Sequence, residues 1–228
     1  MKILSIDTAS NLCTVAILEN RECIKEIIVD DARNHSEKIM PIIDKVLKET
    51  GIDLKNINLI VCDKGPGSFT GIRIGVGTVI AFQDCLNIPC IGVSSLKALA
   101  YNVRQEGIIC SLIDAKNENV YYGLFENKNN EYTQIGELEF KNINEVISIL
   151  KSETSTITFV GDGVIANKNL IESNIPNCIF CDKNNLSSIS LGIAGYEDFK
   201  KDNHTSIMPL YLRKSQAERA LEEKSKKE

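Results

Sequence analysis

Histidine is almost missing from this chain: His35 and His204 are the only two in 228 residues. No His-x-x-x-His or His-Glu-x-x-His spacing occurs, which excludes the helical zinc sites built on those patterns. A serine nucleophile needs a base and a group that orients the base. Nothing in the spacing brings either histidine to Ser68, so Ser68 reads as a helix cap or turn residue. His35, at the start of an amphipathic stretch, reads as a capping or surface residue. An excess of positive charge is also missing: 26 Lys and Arg stand against 31 Asp and Glu. The net charge is −5, so the chain lacks the basic footprint of proteins that grip nucleic acid unaided. No apolar run is long enough to cross a bilayer, and residues 1–7 meet a carboxylate too early to supply the apolar part of a secretory signal. A cytoplasmic chain is expected, and its eight cysteines read as reduced thiols. Cys13, Cys62, Cys90 and Cys110 fall in apolar, strand-like runs and read as small core residues. Cys178 and Cys181 form a lone CxxC with no second pair. On a strand, residues three apart point to opposite faces and chelate one ion poorly.

What the chain does have is the run Gly65-Pro66-Gly67-Ser68-Phe69-Thr70-Gly71-Ile72-Arg73-Ile74-Gly75. An apolar strand, Leu59 to Cys62, enters it, and an apolar helix over 70–86 leaves it. Glycine and proline allow the tight turn between them. A helix N-terminus after such a turn can hold an anion; a closely packed strand-to-helix turn is the alternative. The run is not a Walker A loop, because Gly71 is followed by Ile72 and Arg73 rather than Lys and Ser or Thr.

The remaining pattern repeats. Strands are expected over 2–8, 12–18 and 23–29, then a helix over 36–50, a strand over 58–62, the glycine turn with its helix, a strand over 90–93 and a helix from 95. The second half follows the same order: strands over 108–113, 120–125 and 132–139, a helix over 143–150, a strand over 156–160, a helix over 166–172, a strand over 178–181 and a helix over 187–200. Ile6-Asp7 precedes Glu19-Asn20 by the same interval as Ile113-Asp114 precedes Glu126-Asn127, and Val61-Cys62-Asp63 echoes Val160-Gly161-Asp162. An α/β fold of two similar β-β-β-α-β-α halves is expected: 1–103, 104–213, and a polar tail over 214–228 that reads as solvated. Such halves suggest the fold shared by actin, sugar kinases and Hsp70 proteins, in which nucleotide lies between the halves and the first hairpin of each holds phosphate. Here the hairpins after Asp7 and Asp114 contain no glycine, and the second carries Glu118, so a degraded nucleotide site is expected. Asp7 and Asp114 could meet across the cleft, or each could hydrogen-bond its own turn.

On a helical wheel the 70–86 segment has two apolar faces. One carries Ile72, Val76, Val79, Ile80 and Leu86; the other carries Ile74, Ala81, Phe82 and Cys85. A helix on a sheet needs one such face, so a second surface must cover the other. The helix over 36–50 could lie beside it and widen the patch. The candidate interface is His35, Ile39, Met40, Ile43, Leu47, Ile72, Val76, Val79 and Ile80, with the face that meets a partner left open.

The Gly65–Gly75 run resembles the hallmark of the TsaB family of bacterial tRNA threonylcarbamoyladenosine biosynthesis proteins. Weaker matches follow in order along nearly the whole chain: Ile6-Asp7-Thr8, His35-Ser36-Glu37 with Pro41, Ile113-Asp114-Ala115, Gly161-Asp162-Gly163 and Pro209-Leu210-Tyr211-Leu212-Arg213. Lys116 stands where arginine is expected, and Lys64 precedes the Gly-Pro-Gly. The resemblance implies an actin-like fold and a non-catalytic, dimerising subunit. Its partner would be TsaD, with the ATPase TsaE in the larger complex. That complex moves threonylcarbamoyl from its adenylate to the adenosine 3′ of the anticodon in tRNAs reading codons that start with A. ATP and metal would belong to the partner subunits, tRNA would be met only through the complex, and a homodimer is open when the chain is alone. TsaD-type proteins carry two metal-binding histidines after the corresponding helix; Ser95 and Leu99 stand at those positions here. An active actin-like ATPase or small-molecule kinase is the competing reading.

Overall fold

Every residue of β1 (Lys2–Asp7) after the first is buried, so both of its faces must be covered. The computed structural model, which describes residues 1–30, 35–203 and 205–214, shows how. β1 pairs antiparallel with β2 (Leu12–Glu19), and β2 with β3 (Glu22–Asp30). β4 (Leu59–Asp63) runs parallel to β1, and β5 (Cys90–Val93) parallel to β4. The order is β3-β2-β1-β4-β5. A second sheet, β10-β9-β6-β7-β8, repeats the scheme with β6 (Gly107–Asp114), β7 (Asn119–Lys128), β8 (Glu131–Asn142), β9 (Ile157–Val160) and β10 (Cys178–Phe180). The helices are α1 (His35–Thr50), α2 (Phe69–Leu86), α3 (Ser95–Ala100), α4 (Ile143–Leu150), α5 (Asp162–Asn174) and α6 (Ser188–Lys200), and Leu54–Asn56 adds one 3-10 turn. The expected α/β order of two like halves is present. The one late boundary is α5, which begins at Asp162 instead of 166. A Cβ at Gly163 would lie 3.0 Å from Leu112, so that glycine serves close packing inside a helix.

Register decides which helix covers which face. Ser5 pairs with Ala16 and with Val61, so these three side chains share one face, and Leu4 and Ile6 point to the other. The Ser5 face takes α6. Its Gly192 and Gly195 bring the helix backbone close: a Cβ at Gly192 would stand 3.1 Å from that of Ser5, and one at Gly195 would stand 2.5 Å from the Val61 methyls. The opposite face takes α1 and α2, which lie side by side. In the second lobe α4 and α5 cover one face with a core of their own, while α3 covers the other. Thus α3 lies on the second sheet and α6, from the second half of the chain, lies on the first. The two helices meet in the middle, where Lys97 Nζ contacts both oxygens of Asp198 at 2.5 and 2.7 Å. The division expected at 103 falls between the two sheets, and the packing crosses it. The larger apolar core runs unbroken from the first sheet through α3 and α6 to the second, because each lobe is completed by a helix from the other half.

Candidate functional site

The Gly-Pro-Gly run is a packing junction. β4 ends at Asp63, whose Oδ1 accepts from Gly65 N at 2.7 Å. Ser68 then caps α2, its Oγ accepting from Gly71 N at 3.2 Å. The first turns of α2 lie directly on the β1–β2 turn. Ser68 N donates to Ala9 O at 2.7 Å, and Thr8 Oγ1 donates to Gly71 O at 2.7 Å. A Cβ at Gly67 or Gly71 would overlap the carbonyls of Ala9 or Thr8, and one at Gly75 would lie 2.5 Å from Thr8 Oγ1. Glycine at 67, 71 and 75 is thus what lets a helix backbone touch a hairpin backbone. Of the two readings of this run, packing is the one these contacts describe.

Beneath the junction lies a buried pair of carboxyls that the sequence reading missed. Asp7 Oδ1 accepts from Ala9 N at 2.7 Å, and Asp114 Oδ1 accepts from Lys116 N at 2.9 Å. Each strand-end aspartate therefore holds its own turn. The neighbour of Asp7 is Asp63. Burial holds the Asp7 carboxyl well above the usual range, and the charge of Asp63 pushes it further. Burial also pushes Asp63 up to about 6, against hydrogen bonds from Ser95 and Gly65. Both Oδ2 atoms are buried with no hydrogen-bond partner, the setting in which two adjacent carboxyls keep one proton between them. Ser95 Oγ donates to Asp63 at 2.6 Å, and Leu99 is 1 % exposed within the core; both side chains are committed to packing. The signal for the pair was the Asp63–Asp162 echo: Asp162 Oδ1 accepts from Asp114 N at 2.9 Å in the other lobe. Among the described residues no group of three His, Cys, Asp or Glu could hold a metal ion.

A cleft of about 580 Å³ separates the lobes, between the two hairpin turns and the start of α2. Asp30, Asp114 and Asp162 line it, and Lys116 does too. Lys116 Nζ is bound to Asp114 Oδ2 at 2.5 Å. Glu118 is exposed and outside the lining, so the acidic character expected of Glu118 comes from the three aspartates. Lys116, Asn117 and Glu118 have φ of 64°, 54° and 59°, a left-handed turn made without glycine.

The outer helix faces correct the interface expected from sequence. Ile39, Ile43, Ile72, Val76 and Val79 are all within 4 % of full burial in the chain's own core. His35 is buried as well, its Nε2 lying 3.0 Å from Ser10 O, rather than a surface residue. These six face inward because the sheet takes that side of each helix. Of the expected interface, Met40 is 50 % exposed, and Leu47 and Ile80 are half-buried. On α2 the open side carries Thr70, Arg73, Gly77, Ala81 and Cys85, flanked by the half-buried Ile74 and Phe82. Cys178 and Cys181 are free, the first on β10 and the second just past it. His204 and residues 215–228 of the tail lie outside the described residues. Among the described residues no helix is long and apolar enough to cross a membrane.

Comparison with known proteins agrees with this geometry. The family model for TsaD, tRNA N6-adenosine threonylcarbamoyltransferase, matches residues 25–221. The tRNA threonylcarbamoyladenosine biosynthesis protein TsaB of Bacillus subtilis is 32 % identical over 222 residues, covering 96 % of each chain. A solved Pseudomonas aeruginosa protein described as similar to the peptidase YeaZ superposes with a TM-score of 0.78 at 24 % identity, covering 93 % of this chain and 99 % of that one. The ROK hexokinase of Thermus thermophilus superposes at 0.53 and 11 % identity, covering 88 % of this chain and all of that one. Its likeness shows the fold alone, which is the actin-like fold of the sugar kinases.

Proposed function

The chain belongs to the TsaB family of tRNA threonylcarbamoyladenosine biosynthesis proteins, and from that membership we propose that it is a non-catalytic subunit which docks a TsaD-type transferase through the outer faces of α1 and α2. It acts in the biosynthesis of threonylcarbamoyladenosine in tRNA. The observation that carries the non-catalytic reading is the fate of the cleft. Where an actin-like enzyme would present hairpin amides to phosphate, Thr8 and Ala9 here pack against α2, and the Ala9 amide is taken by Asp7. Three aspartates and one lysine line the remainder, and their net negative charge would repel a nucleotide's phosphates. ATP and metal then belong to the partner subunits, with TsaE as the ATPase, and tRNA reaches this chain only through the complex. The side of α2 that carries Ala81 and Cys85 supports the docking reading, since no element of the described chain covers it. The same face would join two copies when the partner is absent, and the setting is the cytoplasm.

Light scattering of the chain mixed with a purified TsaD-type transferase tests this. A one-to-one complex is expected, with transfer of threonylcarbamoyl to tRNA requiring the transferase. Calorimetric titration of the chain alone with magnesium-ATP should show no saturable heat. A Kd near about 1 μM, worth about −8 kcal/mol, or transfer by this chain alone, would make it an enzyme instead.

A further inference from the structure

After α6 the chain does not leave the molecule. Residues 205–213 run along the free edge of β5 and then over the Gly-Pro-Gly run. Gly92 N donates to Thr205 O at 3.2 Å, and Thr205 Oγ1 donates back to Gly92 O. A side chain at Gly92 would block this, since a Cβ there would stand 2.5 Å from Ser206 O. Leu210 N donates to Lys64 O at 2.7 Å, directly before the turn. Tyr211 then stacks on Phe69 with ring centres 4.5 Å apart and planes within 6°. Arg73, one helical turn further along α2, donates from Nε to Tyr211 Oη at 2.8 Å, and its guanidinium lies 5.7 and 5.6 Å from the two ring centres. Two residues later the chain has reached the other lobe. Arg213 Nη1 donates to Ala115 O at 3.1 Å in the β6–β7 turn, and its guanidinium stands 4.7 Å from the ring centre of Phe140 on β8.

From this geometry we propose that residues 205–213 are a tie between the lobes, in which Arg213 on the second lobe and Tyr211 on the first together hold the first turn of α2 in the position its partner recognises. Only Leu212 separates the two anchors, and it is itself packed on the core. Two residues span at most about 7 Å, so the tie has no slack. Any movement of the β6–β7 turn pulls through Leu212 on Tyr211, and through Tyr211 on Phe69 and Arg73. Arg73 lies on the open side of α2, so the tie ends at the docking face. Tyr211 is 41 % exposed, so its ring is not a core residue. The proposal rests on the docking role given above for α2, and its test separates the two.

Hydrogen exchange on the full chain is the measurement, with wild type, Arg213→Ala, Arg213→Lys, Tyr211→Phe and Tyr211→Ala, and affinity for the TsaD-type transferase read in parallel. Arg213→Ala alters only a contact on the second lobe. It is expected to speed exchange at Phe69–Arg73, across the cleft, by about fivefold, and to weaken partner binding by a similar factor. Tyr211→Phe keeps the stack but loses the oxygen that Arg73 holds, so it should fall between wild type and Tyr211→Ala. If Tyr211→Ala does not fold, Tyr211→Phe and Arg213→Lys still decide the matter. Exchange that rises only near Ala115 and Phe140 in the Arg213 variants, with α2 and the affinity unchanged, overturns the tie. A wild-type chain that fails to bind the transferase overturns the docking role instead, and the exchange at α2 continues to judge the tie.

Discussion

Asp7 and Asp63 give the fold a pH dependence opposite in sign to that of a salt-bridged carboxylate. Unfolded, each titrates near about pH 4. Folded, burial raises both, and the charge of Asp63 raises Asp7 further. Above that unfolded value the native state therefore holds protons that the unfolded chain has released. The pair's contribution is greatest below about pH 4 and is lost as the pH rises through the raised range of the two carboxyls, about 6 for Asp63. In Asp7→Asn the amide can donate to Asp63 and still accept from Ala9 N. Urea unfolding should find this variant more stable than wild type by on the order of 1 kcal/mol or more at about pH 8, with the gap closing towards about pH 5. A gap that is flat with pH would remove the shared proton. Two glycines of α2 separate equally cleanly. Gly71→Ala puts a methyl into the carbonyl of Thr8 and should cost about 2–4 kcal/mol or prevent folding. Gly77 is exposed with open space around it, so Gly77→Ala should gain about 0.5–1 kcal/mol from helix propensity alone. If both alanines behave alike in denaturant, the close approach at Thr8 is not what holds α2.

At the scale of the element, α2 shows what sequence could and could not say. Two apolar faces were legible from the spacing of Ile72, Val76 and Val79 against Ile74, Ala81 and Cys85. Which one met the sheet was not, because that depends on how the helix lies across β1 and β4. Met40, read as part of the candidate interface, is half exposed, while His35, read as a capping or surface residue, is buried. For His35 a neighbour remote in sequence, Ser10, made the choice. The open side now directs the mutagenesis. Val76→Asp buries a carboxylate between α2 and the sheet, which should cost several kcal/mol and abolish cooperative unfolding. Ala81→Asp, on the open side, should leave the thermal midpoint within a few degrees of wild type and abolish transferase binding, as judged by co-elution. Retention of binding in a folded Ala81→Asp chain would move the docking face elsewhere.

In the whole molecule, the repeat of element order was legible, and so was the pairing of Asp63 with Asp162 that the two halves share. The exchange of α3 and α6 between the lobes was not. Leu191 and Ala194 mark an apolar helix face, and Gly192 and Gly195 mark a close approach, but none of them says which sheet is approached. The exchange predicts that residues 1–103 expressed alone give no cooperative thermal transition, because the Ser5–Ala16–Val61 face lacks α6. Adding residues 104–228 should restore one; a sharp transition from the first fragment by itself would show that α6 is dispensable to that lobe. The arrangement also bears on birth at the ribosome. The first sheet is complete at Val93, but the helix that covers its inner face ends only at Lys200. At about 5–20 residues per second, a wide apolar surface emerges and stays bare for several seconds or more while the second lobe is still being made. For that interval the nascent chain is a client for any chaperone waiting at the exit tunnel.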